Sequence, residues 1–222
     1  MTCPELLSNR SEIELEELAQ ATDTSLYRYL HNDGKRLISS WFKRAWDKRN
    51  CEKKDCYEPF IFTWIAFNGW SACVTSYDTD RDWMHSLMLS VDVCQKFNTL
   101  IADNNSIFSQ YANEFKYYWP IFKSQEIRRR GIQRISNKNR EYIVNHYLSN
   151  NVNKFEPQCW TKHRERQEEA PLDWPHTLAA LYRVRCNLFH GEKSPDSEND
   201  RLIVSSAFRV LVHFLKDAHY IL

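Results

Sequence analysis

Glycine occurs only 4 times in 222 residues and proline only 7 times, so the chain has few positions suited to a tight reversal. A many-stranded sandwich needs a turn every eight to twelve residues or so and cannot be assembled from such a sequence. Helices joined by short connections can. The expected fold is all-α, a helical bundle forming one domain over residues 1–222.

The hydrophobic pattern supports this. Ser11 with Glu14 reads as a capping box opening an amphipathic helix with Ile13, Leu15 and Leu18. A second helix is predicted from Gly34 to Lys48, with Leu37, Ile38, Trp41, Phe42 and Trp46 on one side. Pro59 begins FIFTWIAFNGWSACVTSY, apolar on nearly all sides and expected to be a central buried helix. Asp80–Leu100 is predicted as one continuous helix, and residues 106–119 as another, capped by Ser106 and stopped near Pro120. Residues 138–149 read as a short helix and 150–170 as irregular. Asp173 caps a further helix that Gly191 ends, and a last helix carries Val204, Phe208, Leu211 and Leu215.

Charge and thiols narrow the setting. Lys plus Arg number 30 against 29 Asp plus Glu, so nucleic-acid binding would rest on a local patch rather than on net charge. The densest one is Lys123–Arg140, where Arg128, Arg129, Arg130 and Arg134 meet a single acid, Glu126. It is a solvated face or a backbone-binding strip for RNA. The acidic N-terminus lacks the layout of a signal peptide, runs such as Phe60–Trp70 are too short to span a bilayer, and the 7 cysteines lack a framework spacing. A cytoplasmic protein with reduced thiols and no membrane partner is expected. Cys51-x4-Cys56 with Cys159-x3-His163 would supply four zinc ligands if brought together, or else they are unrelated side chains. No phosphate loop, nucleophile elbow or HExxH motif is present.

The chemistry concentrates on the helix before Gly191. Leu178, Leu181, Tyr182, Leu188 and Phe189 make an apolar stripe with Arg185 in its middle, while Arg183, Asn187 and His190 share a polar face. A guanidinium in an apolar stripe must be paired or must face a cleft. Pairing with a core carboxylate, with His190 a cation favoured by the helix C-terminus, is the plainer role.

The segment LYRVRCNLFHGEK resembles the Arg-x4-6-His signature of the HEPN superfamily, through Arg185-x4-His190 and more loosely Arg183-x6-His190. The resemblance continues through Glu192 and Lys193 into the closing helix, and more weakly into Pro59–Trp70. It implies a HEPN-type bundle with its core at about 58–100 and 171–220, an inserted basic and irregular region at about 105–170, and extra helices at the N-terminus. It further implies a metal-independent endoribonuclease, a toxin or antiviral-defence effector that needs no cofactor. His190 would move protons, Arg185 would hold the scissile phosphate, and Asn187 would orient either. Arg183, Lys193 and the Arg128, Arg129, Arg130 and Arg134 strip would bind RNA. The alternative is a non-catalytic HEPN-like module that binds nucleotide or RNA or scaffolds a partner.

Five residues on an ideal helix turn through about 140°, so Arg185 and His190 diverge within one chain. HEPN proteins dimerise so that two motifs face one cleft, which implies a homodimer with a composite site, with an antitoxin or regulatory protein as a further partner. One HEPN toxin class carries a tyrosine two residues after the histidine, which a nucleotidyltransferase adenylylates. Glu192 stands there in this sequence, so that mode of control is not implied.

Overall fold

The computed structural model describes residues 10–135 and 138–221. Cys3 and the other first nine residues, on which the reading of the N-terminus rests, lie outside them. Among the described residues the fold is all-α apart from one two-stranded ribbon. The helices are α1 (Glu12–Gln20), α2 (Leu26–Tyr29), α3 (Asn32–Asp47), α4 (Tyr57–Thr75), α5 (Asp80–Leu89), α6 (Val91–Ala102), α7 (Ile107–Tyr117), α8 (Ser124–Arg129), α9 (Arg140–Ser149), α10 (Trp160–Glu165), α11 (Trp174–Phe189) and α12 (Glu198–Asp217). Strand β1 (Ile121–Phe122) pairs antiparallel with β2 (Phe155–Glu156).

The predicted caps are where the sequence puts them. Ser11 and Glu14 form the capping box of α1, Ser106 accepts from Ser109 N at 3.0 Å, and Asp173 accepts from His176 N at 3.0 Å. The single helix expected over Asp80–Leu100 is two. Ser90 leaves the helical backbone at ψ 118 and its hydroxyl accepts from Val93 N, so it closes α5 and caps α6. Residues 150–170, expected to be irregular, contain β2 and α10.

α4 is the hub. It packs against α3, α5 and α12, and α12 also packs against α7. Its polar residues do not disturb the core because Thr63 and Ser71 turn their hydroxyls back onto the Pro59 and Phe67 carbonyls, at 2.8 and 2.7 Å. Gly69 lets α3 come close: a Cβ there would meet Ile38 Cγ1 at 3.1 Å. Around α4 the aromatics interlock, Phe67 with Trp83 at 5.6 Å and Trp174 with Phe214 at 4.4 Å. Most of the aromatic content is therefore core.

α7 belongs to this main core through Phe108, Ala112 and Phe115, so the region expected as an insertion begins after it. Beyond it a separate apolar cluster gathers Phe122, Ile127, Ile143, Val144, Tyr147, Val152 and Phe155 from α8, α9, the ribbon and the turn between α9 and β2. No described helix is long and apolar enough to cross a membrane.

Candidate functional site

The C-terminal end of α11 is closed by a left-handed residue. Gly191 has φ +68 and donates to the Leu188 carbonyl at 3.0 Å, and Glu192 N donates to the Asn187 carbonyl at 2.8 Å. This paired arrangement satisfies the last carbonyls and turns the chain sharply after His190. Nothing lies within 4 Å of a Cβ built on Gly191, so backbone conformation alone selects glycine.

Arg185 lies a turn and a half earlier, half-buried. Its guanidinium stands over the rings of Phe189, Tyr182 and Trp64, with centroid distances of 4.9, 5.7 and 5.9 Å. Its Nη2 is 3.2 Å from Asp80 Oδ2 at the start of α5, and its Nε is buried with no partner. So the cation is both paired and presented. The carboxylate it meets is itself partly open, with 31% of its side chain exposed. His190 is exposed, and no described side chain hydrogen-bonds its ring. Phe189 between them is 50% exposed. No hydrogen bond or ion pair joins Arg185 to His190, in keeping with their divergence around the helix.

The other expected site residues are largely engaged. Asn187 is 3% exposed; its Oδ1 accepts from Ser124 N at 3.1 Å and its Nδ2 donates to the Phe122 carbonyl at 2.8 Å. Its amide is thus a clamp between α11 and the β1–α8 junction, at the position the resemblance implies would orient a phosphate or His190. Lys193, expected to bind RNA, is engaged likewise: its side chain is 5% exposed and its Nζ is 2.6 Å from Asp200 Oδ1. Burial lowers its pKa, opposed by the Asp200 charge. Arg183 is near Glu156, Nη2 to Oε1 at 3.7 Å.

The basic strip is stitched to the same turn. Arg128 Nη2 is 2.7 Å from Oε1 of the buried Glu192, and Arg134 donates to the Glu192 carbonyl and meets Asp200 Oδ2 at 3.3 Å. Arg130 bonds Glu126 at 2.8 Å, while Arg129 is exposed. The strip is therefore partly spent on Glu192 and Asp200, although 67% of the Arg128 side chain and 45% of that of Arg134 stay exposed.

Asp80, Trp64 and Asp200 were not singled out by sequence, and Glu192 was noted only for its place two residues after His190. The acidic run GEKSPDSEND, which starts at Gly191, held the signal for Asp200. Nor was the chain of contacts Asp173–His176–Cys159. Asp173 Oδ1 is 2.5 Å from His176 Nδ1, and His176 Nε2 is 3.0 Å from Cys159 Sγ, with the imidazole 1% exposed and packed against Trp119. The four proposed zinc ligands do not come together. Cys51 and Cys56 meet each other, Sγ to Sγ at 3.2 Å; Cys159 meets His176; and His163 meets Glu168 at 3.4 Å. Among the described residues no group of three or more His, Cys, Asp or Glu is placed to hold a metal ion.

Compared with family models, with curated proteins and with solved structures, the chain matches none of them.

Proposed function

We propose that this chain is a HEPN-type endoribonuclease that cleaves RNA without a metal ion, working as a homodimer whose site combines Arg185 of one copy with His190 of the other. The carrying observation is the contrast at the end of α11. Asn187 and Lys193 are locked into the fold, whereas the Arg185 guanidinium and the His190 imidazole are left at the surface with an exposed Phe189 between them. A half-exposed aromatic beside a paired but partly open cation suits a contact with a second copy. The resemblance of LYRVRCNLFHGEK to the HEPN signature supports the class, and a toxin or antiviral-defence role, with an antitoxin or regulator as partner, rests on that resemblance alone.

The chemistry follows from RNA itself. A neutral His190 takes the 2′-hydroxyl proton, the 2′-oxygen bonds to phosphorus as the bond to the 5′-oxygen breaks, and the imidazolium so formed returns its proton, through a water, to the departing 5′-oxygen. Arg185 leaves Asp80 for the phosphate and follows the charge that builds on it. The products are a 2′,3′-cyclic phosphate and a 5′-hydroxyl. A non-catalytic module that binds RNA is the second reading, favoured by the still-exposed Arg128, Arg129 and Arg134.

The deciding experiment is cleavage of RNA in excess EDTA by wild type, Arg185→Ala and His190→Ala, with end analysis. Cyclic-phosphate ends from wild type and a loss of about a hundredfold or more in either variant are expected. Binding of RNA without cleavage in all three would leave the non-catalytic reading.

A further inference from the structure

A cleft of about 750 Å³ opens between the end of α7, the start of α9 and helix α10, and no residue of the Arg185–His190 surface lines it. Two observations set it apart. The first is Arg140, 8% exposed, at the start of α9. Its Nη2 donates to the Tyr118 and Pro120 carbonyls and its Nε has no partner. No carboxylate among the described residues lies within ion-pair distance of it, and the ionisable groups that act on it are the phenols of Tyr147, Tyr117 and Tyr118. Burial brings its pKa down to about 10, which leaves it cationic at neutral pH. A guanidinium buried without a counter-charge is costly and is relieved by an anion. The second is Trp119, 3% exposed, whose indole Nε1 is a buried donor without a partner. Both residues line this cleft, and Arg140 also lines two smaller ones beside it.

Its mouth adds flat rings and displaceable cations. Tyr117 is 63% exposed, and Arg164 lies 5.3 Å over the ring of the half-buried Trp160. Lys116 is held 2.6 Å from Glu169, whose side chain is 87% exposed and free to move away. A bare anion leaves the rings unused, and a neutral aromatic leaves Arg140 without a counter-charge. A ligand that carries both a planar ring and a phosphate uses all of them, and its size falls within the ~300–1,000 Å³ of small-molecule sites. We infer that this cleft is a mononucleotide-binding site, with its phosphate toward Arg140 and its base against Tyr117 and Trp160. This is independent of the ribonuclease reading.

The test is calorimetric titration of the full chain with AMP, GMP, adenosine and inorganic phosphate. One AMP or GMP is expected to bind per chain, with adenosine and phosphate each weaker by about tenfold or more. Arg140→Lys and the surface variant Arg164→Ala should each weaken nucleotide binding by about tenfold, and His190→Ala should leave it unchanged. Arg164→Ala keeps the test decisive if Arg140→Lys fails to fold. Absence of saturable binding by either nucleotide would overturn the assignment, as would wild-type affinity in Arg164→Ala and in any folded Arg140→Lys. Phosphate binding as tight as AMP would make it a bare-anion site, and loss of binding in His190→Ala would move the nucleotide to the end of α11.

Discussion

Asn187 and Arg185 sit two positions apart on α11 yet do opposite things. The difference lies in what surrounds each. Asn187 meets backbone, and its amide supplies an acceptor to Ser124 N and a donor to the Phe122 carbonyl. Replacing it by alanine leaves both groups buried and unpaired, at a cost of about 1–3 kcal/mol. Asn187→Ala is therefore expected to lower the melting temperature, while the folded fraction cleaves RNA at the wild-type rate. Unchanged melting with lost cleavage would return Asn187 to the reaction. The sequence could place Asn187 on the polar face but could not reveal this use, because a backbone partner has no side-chain signature. For Arg185 the pattern went further, since an apolar stripe around a guanidinium demanded a partner or an opening. That the partner is Asp80 depends on how α5 lies against α11, which no spacing along the chain encodes.

Local rules read the elements well and fail where two elements share one residue. Ser11, Ser106 and Asp173 each precede a helix and were legible as caps. Ser90 was not, because it interrupts an apolar register that continues on both sides. The α5 helix so delimited carries His85 inward, 7% exposed, with its pKa lowered to about 4 by burial and then by Arg10 and Arg81, against a small opposing effect of Asp82. A folded pKa below the unfolded value near 6.5 means that the unfolded chain binds the extra proton first. His85 thus favours the fold fully above about pH 6.5, and that contribution fades as pH falls toward about 4. The slope is at most about 1.4 kcal/mol per pH unit. His85→Phe should flatten this acid limb of a melting-temperature profile, and an unaltered limb would assign the acid sensitivity to other groups.

At the scale of the molecule the helical class was readable because so few glycines and prolines leave little else, and the aromatic-rich α4 announced the hub. The small ribbon and the division of the core were not, because β1 and β2 have only two residues each and make sense only once paired. Assembly gives the clearest whole-molecule test. If each site takes Arg185 from one copy and His190 from the other, mixing inactive Arg185→Ala with inactive His190→Ala and re-equilibrating should restore about a quarter of wild-type cleavage. Only the mixed dimer then holds one intact site. No recovery, in a mixture shown to exchange subunits, would argue for a site within one chain. The division of the core has a consequence of its own. The cluster around Phe122, Tyr147 and Phe155 is far smaller than the one around α4, and only the small one is clamped to α11 by Asn187 and to the following turn by Arg128 and Arg134. Native-state hydrogen exchange is expected to show this compartment opening at lower free energy than α4 and α12, and a single melting unit would refute it. Such a compartment behaves as a fuse: it can release the grip on the His190 turn while the rest of the protein stays folded.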